Sequence, residues 1–242
     1  MNIFCVVGSN HDYFFDKWEI LLAKHGHSLV PMKEPVFRTW KSGNKKLRIY
    51  SWLKDRTPYS AEDFLHINNA NDINMFNGWI VPDSGSSSLD ALHYAPYFNH
   101  EIADPPNNLF GEYIFISLTN NGNGVCVRNN LCIMPLYLSE TNEGFIISNR
   151  ASIAALFQNH SPVFEYDDMF CGMLCGFTWP LCENTLFKGV KALPSGSRIT
   201  FKNGILNVSR QLKDALYDEE LKNLFKTDKN QFWDNLLEII LQ

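Results

Sequence analysis

The chain has 242 residues, of which 45% are hydrophobic and 19% charged, so it belongs with globular proteins and not with disordered, collagen-like or membrane-embedded chains. Its 21 basic residues stand against 26 acidic ones, and the one basic cluster is the short run Lys41, Lys45, Lys46, which argues against nucleic acid as a main partner. No run approaches the roughly 20 apolar residues of a membrane span, and Met1–Gly8 lacks the basic start of a signal peptide, so a cytoplasmic protein without membrane contact is expected.

In chain order, the first two-thirds reads as short β runs between polar turns, the pattern of antiparallel sheets with few helices. The expected strands are 2–7, 36–40, 47–53, 74–81, 112–119, 124–128, 134–139 and 144–148. Asn120-Asn121-Gly122-Asn123-Gly124 and Asn142-Glu143-Gly144 supply residues that accept positive φ, and so predict hairpin turns. The run Tyr113–Leu118 is apolar on both faces, as a central, doubly covered strand would be. Helices are expected over 16–25, closed by Gly26 as its C-cap, over 150–158 behind the capping candidates Ser148 and Asn149, and over 167–175 behind Asp167 and Asp168.

A third hairpin turn is expected at Lys202-Asn203-Gly204, and from Asp214 the composition turns helical. The last piece, 228–242, opens with a capping-box-like Asp228-x-x-Gln231 and carries an apolar stripe. These shifts suggest a domain over residues 1–210 and a helical segment over 211–242. The Ser-rich patch at 83–88 reads as a loop.

The six cysteines are scattered among apolar neighbours with no C-x-x-C pair. Cys171 and Cys175 lie one helical turn apart but have no His pair at zinc-site spacing, so buried reduced thiols and no metal are expected. No Gly-rich phosphate loop occurs in the sequence.

From Asn74 to Gly204 an ordered set of motifs resembles the N-terminal glutaminase-type domain of the asparagine synthetase family, the class II amidotransferases of the Ntn-hydrolase fold. Phe76-Asn77-Gly78 resembles F-N-G-E-I, and Leu109–Phe115 resembles L-x-G-x-F-A-F. Arg128–Tyr137 is similar to R-D-x-x-G-I-K-P-L-Y-Y, Phe145–Arg150 stands where the family has L-x-F-A-S-E, and Thr185–Gly196 matches T-L-F-x-G-I-x-x-L-P-P-G. The resemblance covers about half the chain, and the first 73 residues poorly.

The resemblance implies an α+β fold, a four-layer αββα sandwich of two antiparallel sheets, here with a C-terminal helical extension. In the family it is followed by an ATP-pyrophosphatase domain opening with S-G-G-L-D-S, and Gln242 falls just before that loop would appear. ATP and Mg are then expected only in that synthetase domain or chain, which becomes the implied partner. A peptide or amino-acid substrate and a homodimer are further expectations of the same resemblance.

An active member carries its cysteine nucleophile directly after the initiator Met, and the freed α-amine serves as base. Here residue 2 is Asn2, and the nearest thiol is Cys5, which would gain an α-amine only if Met1–Phe4 were removed. Read from its neighbours alone, Cys5 is a core residue of the first strand. Asn77 and Gly78 match the family's oxyanion-hole residues, and read locally they shape a strand end. Arg48 is the loose counterpart of the arginine that holds the glutamine carboxylate, and Asp83 of the acid that holds its ammonium.

These departures point to a non-hydrolytic structural domain of an amide-bond-forming synthetase. The non-Cys start and Ser148-Asn149-Arg150 resemble the branch of β-lactam and lasso-peptide macrolactam synthetases. Two alternatives stay open: an active ammonia-donating glutaminase processed to Cys5, and an unrelated β-rich binding module using Trp40, Trp52, Trp79 and Trp179 as a ligand surface.

Overall fold

The computed structural model describes residues 2–54, 61–80, 111–129, 132–177 and 183–210, together with Gln231 and Trp233. Two compact units divide the chain, Met1–Arg210 and Gln211–Gln242. The helical segment expected beyond Asp214, apart from Gln231 and Trp233, lies outside the described residues, as do the Ser-rich patch, Trp179 and Cys182.

The elements of the first unit are β1 (Ile3–Ser9), α1 (Asp12–Leu29), β2 (Val36–Lys41), β3 (Leu47–Leu53), α2 (Ala61–Phe64), β4 (Leu65–Ile67), β5 (Ile73–Ile80), β6 (Gly111–Leu118), β7 (Gly124–Arg128), β8 (Tyr137–Glu140), β9 (Gly144–Ser148), α3 (Ala151–Asn159), α4 (Asp168–Phe177), β10 (Val190–Ala192), β11 (Ser197–Lys202) and β12 (Ile205–Arg210). They form two six-stranded sheets, in the orders β10-β8-β9-β1-β3-β2 and β12-β11-β7-β6-β5-β4, with every neighbouring pair antiparallel.

Side-chain alternation explains how these sheets stack. On β1, Phe4 and Val6 join Ile114, Ile116, Cys126, Ile199 and Phe201 in one core, which places that core between the sheets. Ile3, Cys5 and Val7 take the other face and pack with Phe14, Phe15 and Trp18 of α1 and with Ile153–Phe157 of α3. The far face of the second sheet is covered too, since Phe76, Tyr113, Phe115 and Val127 are buried on it. The result is the Ntn-hydrolase-like α+β sandwich of two antiparallel sheets that the resemblance implies.

Where observed and expected elements differ, the reason is local. α1 runs past Gly26 to Leu29, because the Val30 amide donates to the Gly26 carbonyl and closes a further turn. Gly26 is therefore a buried interior glycine facing Trp52, and His25 and His27 are ordinary helical residues. The strand expected from Met134 starts only at Tyr137, for the Met134 amide donates to the Glu112 carboxylate and Pro135 has no amide to give. Neither Ser148 nor Asn149 is the first cap of α3; Arg150 holds that place, and its amide donates to Ser148 Oγ.

The hairpin turns fall at the Asn-Gly signals. Gly122 (φ +72) sits between β6 and β7, and Asn203 (φ +52) with Gly204 (φ +80) joins β11 to β12. Asp167 caps α4, its Oδ1 accepting the Phe170 amide. No helix among the described residues is long and apolar enough to cross a membrane.

Candidate functional site

Residue 2 sits at the head of β1, on the even-numbered row that continues into Phe4 and Val6 between the sheets. Asn2 is buried, and its backbone carbonyl accepts from the side-chain amides of Asn149 (2.7 Å) and Asn77 (3.3 Å). Its side-chain oxygen accepts the Lys54 amide at 2.9 Å. Strand and loop ends from both sheets thus converge on one residue.

Each contact has a backbone cause. β9 ends at Ser148 opposite Cys5, and the Asn149 side chain extends the ladder by one step, accepting the Phe4 amide at 3.0 Å while donating to the Asn2 carbonyl. Ser148 Oγ donates to the Phe4 carbonyl at 2.7 Å and accepts from Arg150. Asn77 shares the inter-sheet row of Ile73 and Met75 on β5. Gly78 follows at φ +137, opposite Tyr113, where a Cβ would run into the Glu112 carbonyl oxygen and come within 2.8 Å of Met134 Cε. Only glycine fits there.

The structure brings Asn77 and Gly78 to the head of β1 and leaves Cys5 and Arg48 elsewhere. Cys5 is fully buried on the odd-numbered row, facing the helices, and burial pushes its thiol far above the ordinary range despite a hydrogen bond from the Tyr50 backbone. A one-residue change of parity reverses the face of a strand residue, so Cys5 and Asn77 address opposite sides of the first sheet. Arg48 pairs with Glu19 at 2.6 Å and lies 4.3 Å over the Phe15 ring. Along β3 it stands opposite Val7, whereas Trp52 stands opposite Ile3, so about 13 Å of strand separates it from the Asn2 cluster. Asp83 lies outside the described residues.

The tryptophans expected as one ligand surface are dispersed. Trp40 belongs to the inter-sheet core, Trp52 to the helix-side core, and Trp79 is half-exposed. Of the cysteines, Cys5, Cys126 and Cys132 are buried as expected, but Cys175 is exposed and Cys171 half-buried on α4. Among the described residues no group of three or more His, Cys, Asp or Glu side chains is placed to hold a metal ion.

The residue that sequence reasoning underused is Asn149. Its position beside Ser148 suggested a helix cap, and nothing local signals that its amide would instead reach residues 2 and 4, more than 140 positions away. Chemically, the cluster consists of neutral amides and one doubly engaged hydroxyl. It fastens the strand head, and among the described residues bonded to Asn2 none is a cysteine.

No protein-family model matches the sequence, and no curated protein is similar to it in sequence. Solved structures do resemble it in fold. The allosteric regulatory enzyme of purine biosynthesis superposes with a TM-score of 0.51 at 10% identity, over 87% of this chain and 49% of that one. Glutamine phosphoribosylpyrophosphate (PRPP) amidotransferase from B. subtilis, complexed with ADP and GMP, superposes at 0.46 and 11% identity with the same coverages. The chain spans about half the length of these structures. At such identities the likeness extends to the fold alone.

Proposed function

We propose that this chain is the glutaminase-like domain of an asparagine-synthetase-like enzyme that forms amide bonds with ATP, and that the domain itself does not hydrolyse glutamine. The observation that carries the reading is Asn2 at the head of β1, hydrogen-bonded to the oxyanion-type residue Asn77 where a working member would present its thiol. An amide side chain is no nucleophile at neutral pH, and the carbonyl of residue 2 takes one of the two N–H donors of the Asn77 amide.

Processing to Cys5 does not rescue the chemistry. Cleavage before Cys5 would remove Asn2 and Phe4, and with them the bonds from Asn77, Asn149, Ser148 and Lys54. The new terminal thiol would still face α1 and α3. The asparagine-synthetase branch rests on the motif order in the sequence. Within it, Thr185–Gly196 acts as a buckle: Thr185 Oγ1 donates to the Val190 carbonyl at 2.9 Å and accepts the Phe187 amide at 3.2 Å.

In this reading ATP and Mg belong to a separate synthetase domain or chain, which the glutaminase-like domain supports. Incubation of the purified chain with glutamine tests it. No glutamate should appear above the uncatalysed background, whereas release that stops on thiol alkylation would overturn the proposal.

A further inference from the structure

The first sheet is wider than the helix layer that covers it. α1 packs over β1 and onto Tyr50 and Trp52 of β3, and α3 over β8, β9 and β10, while on the same face of β2 the side chains of Phe37, Thr39 and Lys41 are exposed. A trough of about 510 Å³ runs there, within the range of small-molecule sites. Its wall is one stripe of α1, with Glu19, Leu22, Ala23, Gly26 and His27 at helical spacing. Its floor is built from cross-strand pairs, Phe37 beside Trp52 and Thr39 beside Tyr50, and Lys41 beside Arg48 marks its charged end.

Three features give the trough a chemical character. Phe37 and Trp52 form an aromatic corner, with centroids 5.3 Å apart and planes at 45°, and Phe37 remains 47% exposed although it is a large apolar ring. Gly26 lies inside a helix, where glycine is less favourable than alanine. Packing does not require it: a Cβ would meet only ordinary contacts, Leu22 Cδ1 at 3.4 Å and Trp52 Cζ2 at 3.7 Å. Gly26 thus lets α1 sit close against the Trp52 ring at the inner end of the trough, where a larger side chain would have to project into the trough.

At the other end Glu19 accepts from Arg48 at 2.6 Å, Tyr50 at 2.9 Å and Lys41 at 3.3 Å. Two cations therefore share one carboxylate, leaving a single positive charge, and the half-exposed Lys41 ammonium has donors to spare.

We propose that this trough binds a small molecule with a flat apolar body and one anionic group, the body lying on the exposed Phe37 ring beside the α1 stripe and the anion meeting Lys41. The site lies on the opposite side of the first sheet from the inter-sheet row that begins at Asn2, so it is independent of the glutamine chemistry discussed above.

Fluorescence titration of the full chain with two dyes of one shape tests the proposal: 1-anilinonaphthalene-8-sulfonate, which is anionic, and N-phenyl-1-naphthylamine, which is neutral. Both should bind the native chain. Gly26→Leu should weaken both by at least about tenfold. The surface change Lys41→Gln, which leaves folding intact, should weaken the sulfonate by about fivefold and leave the neutral dye unchanged. The proposal is overturned if neither dye binds, if Gly26→Leu alters neither affinity in a chain with native circular dichroism, or if Lys41→Gln affects both dyes alike or neither.

Discussion

The side-chain amide of Asn77 donates to the backbone carbonyl of Asn2 at 3.3 Å, joining the head of β1 in one sheet to β5 in the other. In this position Asn77 fastens the sandwich together. Asn77→Ala should therefore lower stability by about 1 kcal/mol, measured by urea denaturation, through loss of a single buried hydrogen bond.

Asn149 carries more. It is fully buried and serves two backbone groups at once, the Phe4 amide and the Asn2 carbonyl. Asn149→Ala strands both and should cost roughly 2–4 kcal/mol in the same denaturation experiment, clearly more than Asn77→Ala. Equal losses would contradict the ladder-extending role assigned to Asn149.

Two glycines should respond in opposite directions. Gly78→Ala forces a Cβ into the Glu112 carbonyl at φ +137 and should cost more than about 3 kcal/mol or prevent folding. Gly26→Ala meets only ordinary contacts inside α1 and should be neutral or raise stability by up to about 1 kcal/mol. Thermal and urea unfolding of the pair would check both signs.

Glu19 gives the protein an acid-sensitive contact. Partial burial opposes its ionisation, but hydrogen bonds from Tyr50 and Arg48 outweigh that and hold its carboxyl below the ordinary value. A depressed folded-state pKa stabilises the fold above the unfolded value of about 4.3, and that contribution is lost as pH falls through the folded-state pKa. The stability difference between the native chain and Glu19→Gln should therefore be full near neutrality and shrink below about pH 4.3. A difference that grows on acidification would contradict this sign.

The cysteines should separate by reactivity. Cys175 is exposed on α4, whereas Cys5 and Cys126 are buried with thiols pushed well above the ordinary range by desolvation. Brief iodoacetamide treatment followed by peptide mass mapping should find Cys175 labelled and Cys5 untouched until the chain unfolds. Rapid labelling of Cys5 would show that the head of β1 opens in the native state.

Much of the sheet system was legible because its cues are local. The 47–53, 124–128 and 144–148 strands fall where alternation and turn residues place them, and the Asn203-Gly204 hairpin follows from two residues that accept positive φ. The three-residue strands β4 and β10 were not, since so short a run carries no periodicity of its own and exists only by pairing with β5 and β8. At the site, the sequence exposed Asn2 and Asn77 as residues but not their bond, which depends on the stacking of two sheets. Parity was the missed clue for Cys5: counting from Phe4, whose face is set by the core between the sheets, puts Cys5 on the helix side.

The most direct measurement is the intact mass of the chain purified from cells, combined with glutamate release from glutamine. The account predicts a chain in which Cys5 is internal, and no release. A chain beginning at Cys5 and hydrolysing glutamine would contradict it, because the thiol now buried against α1 would then have to reach the Asn77 side of the sheet.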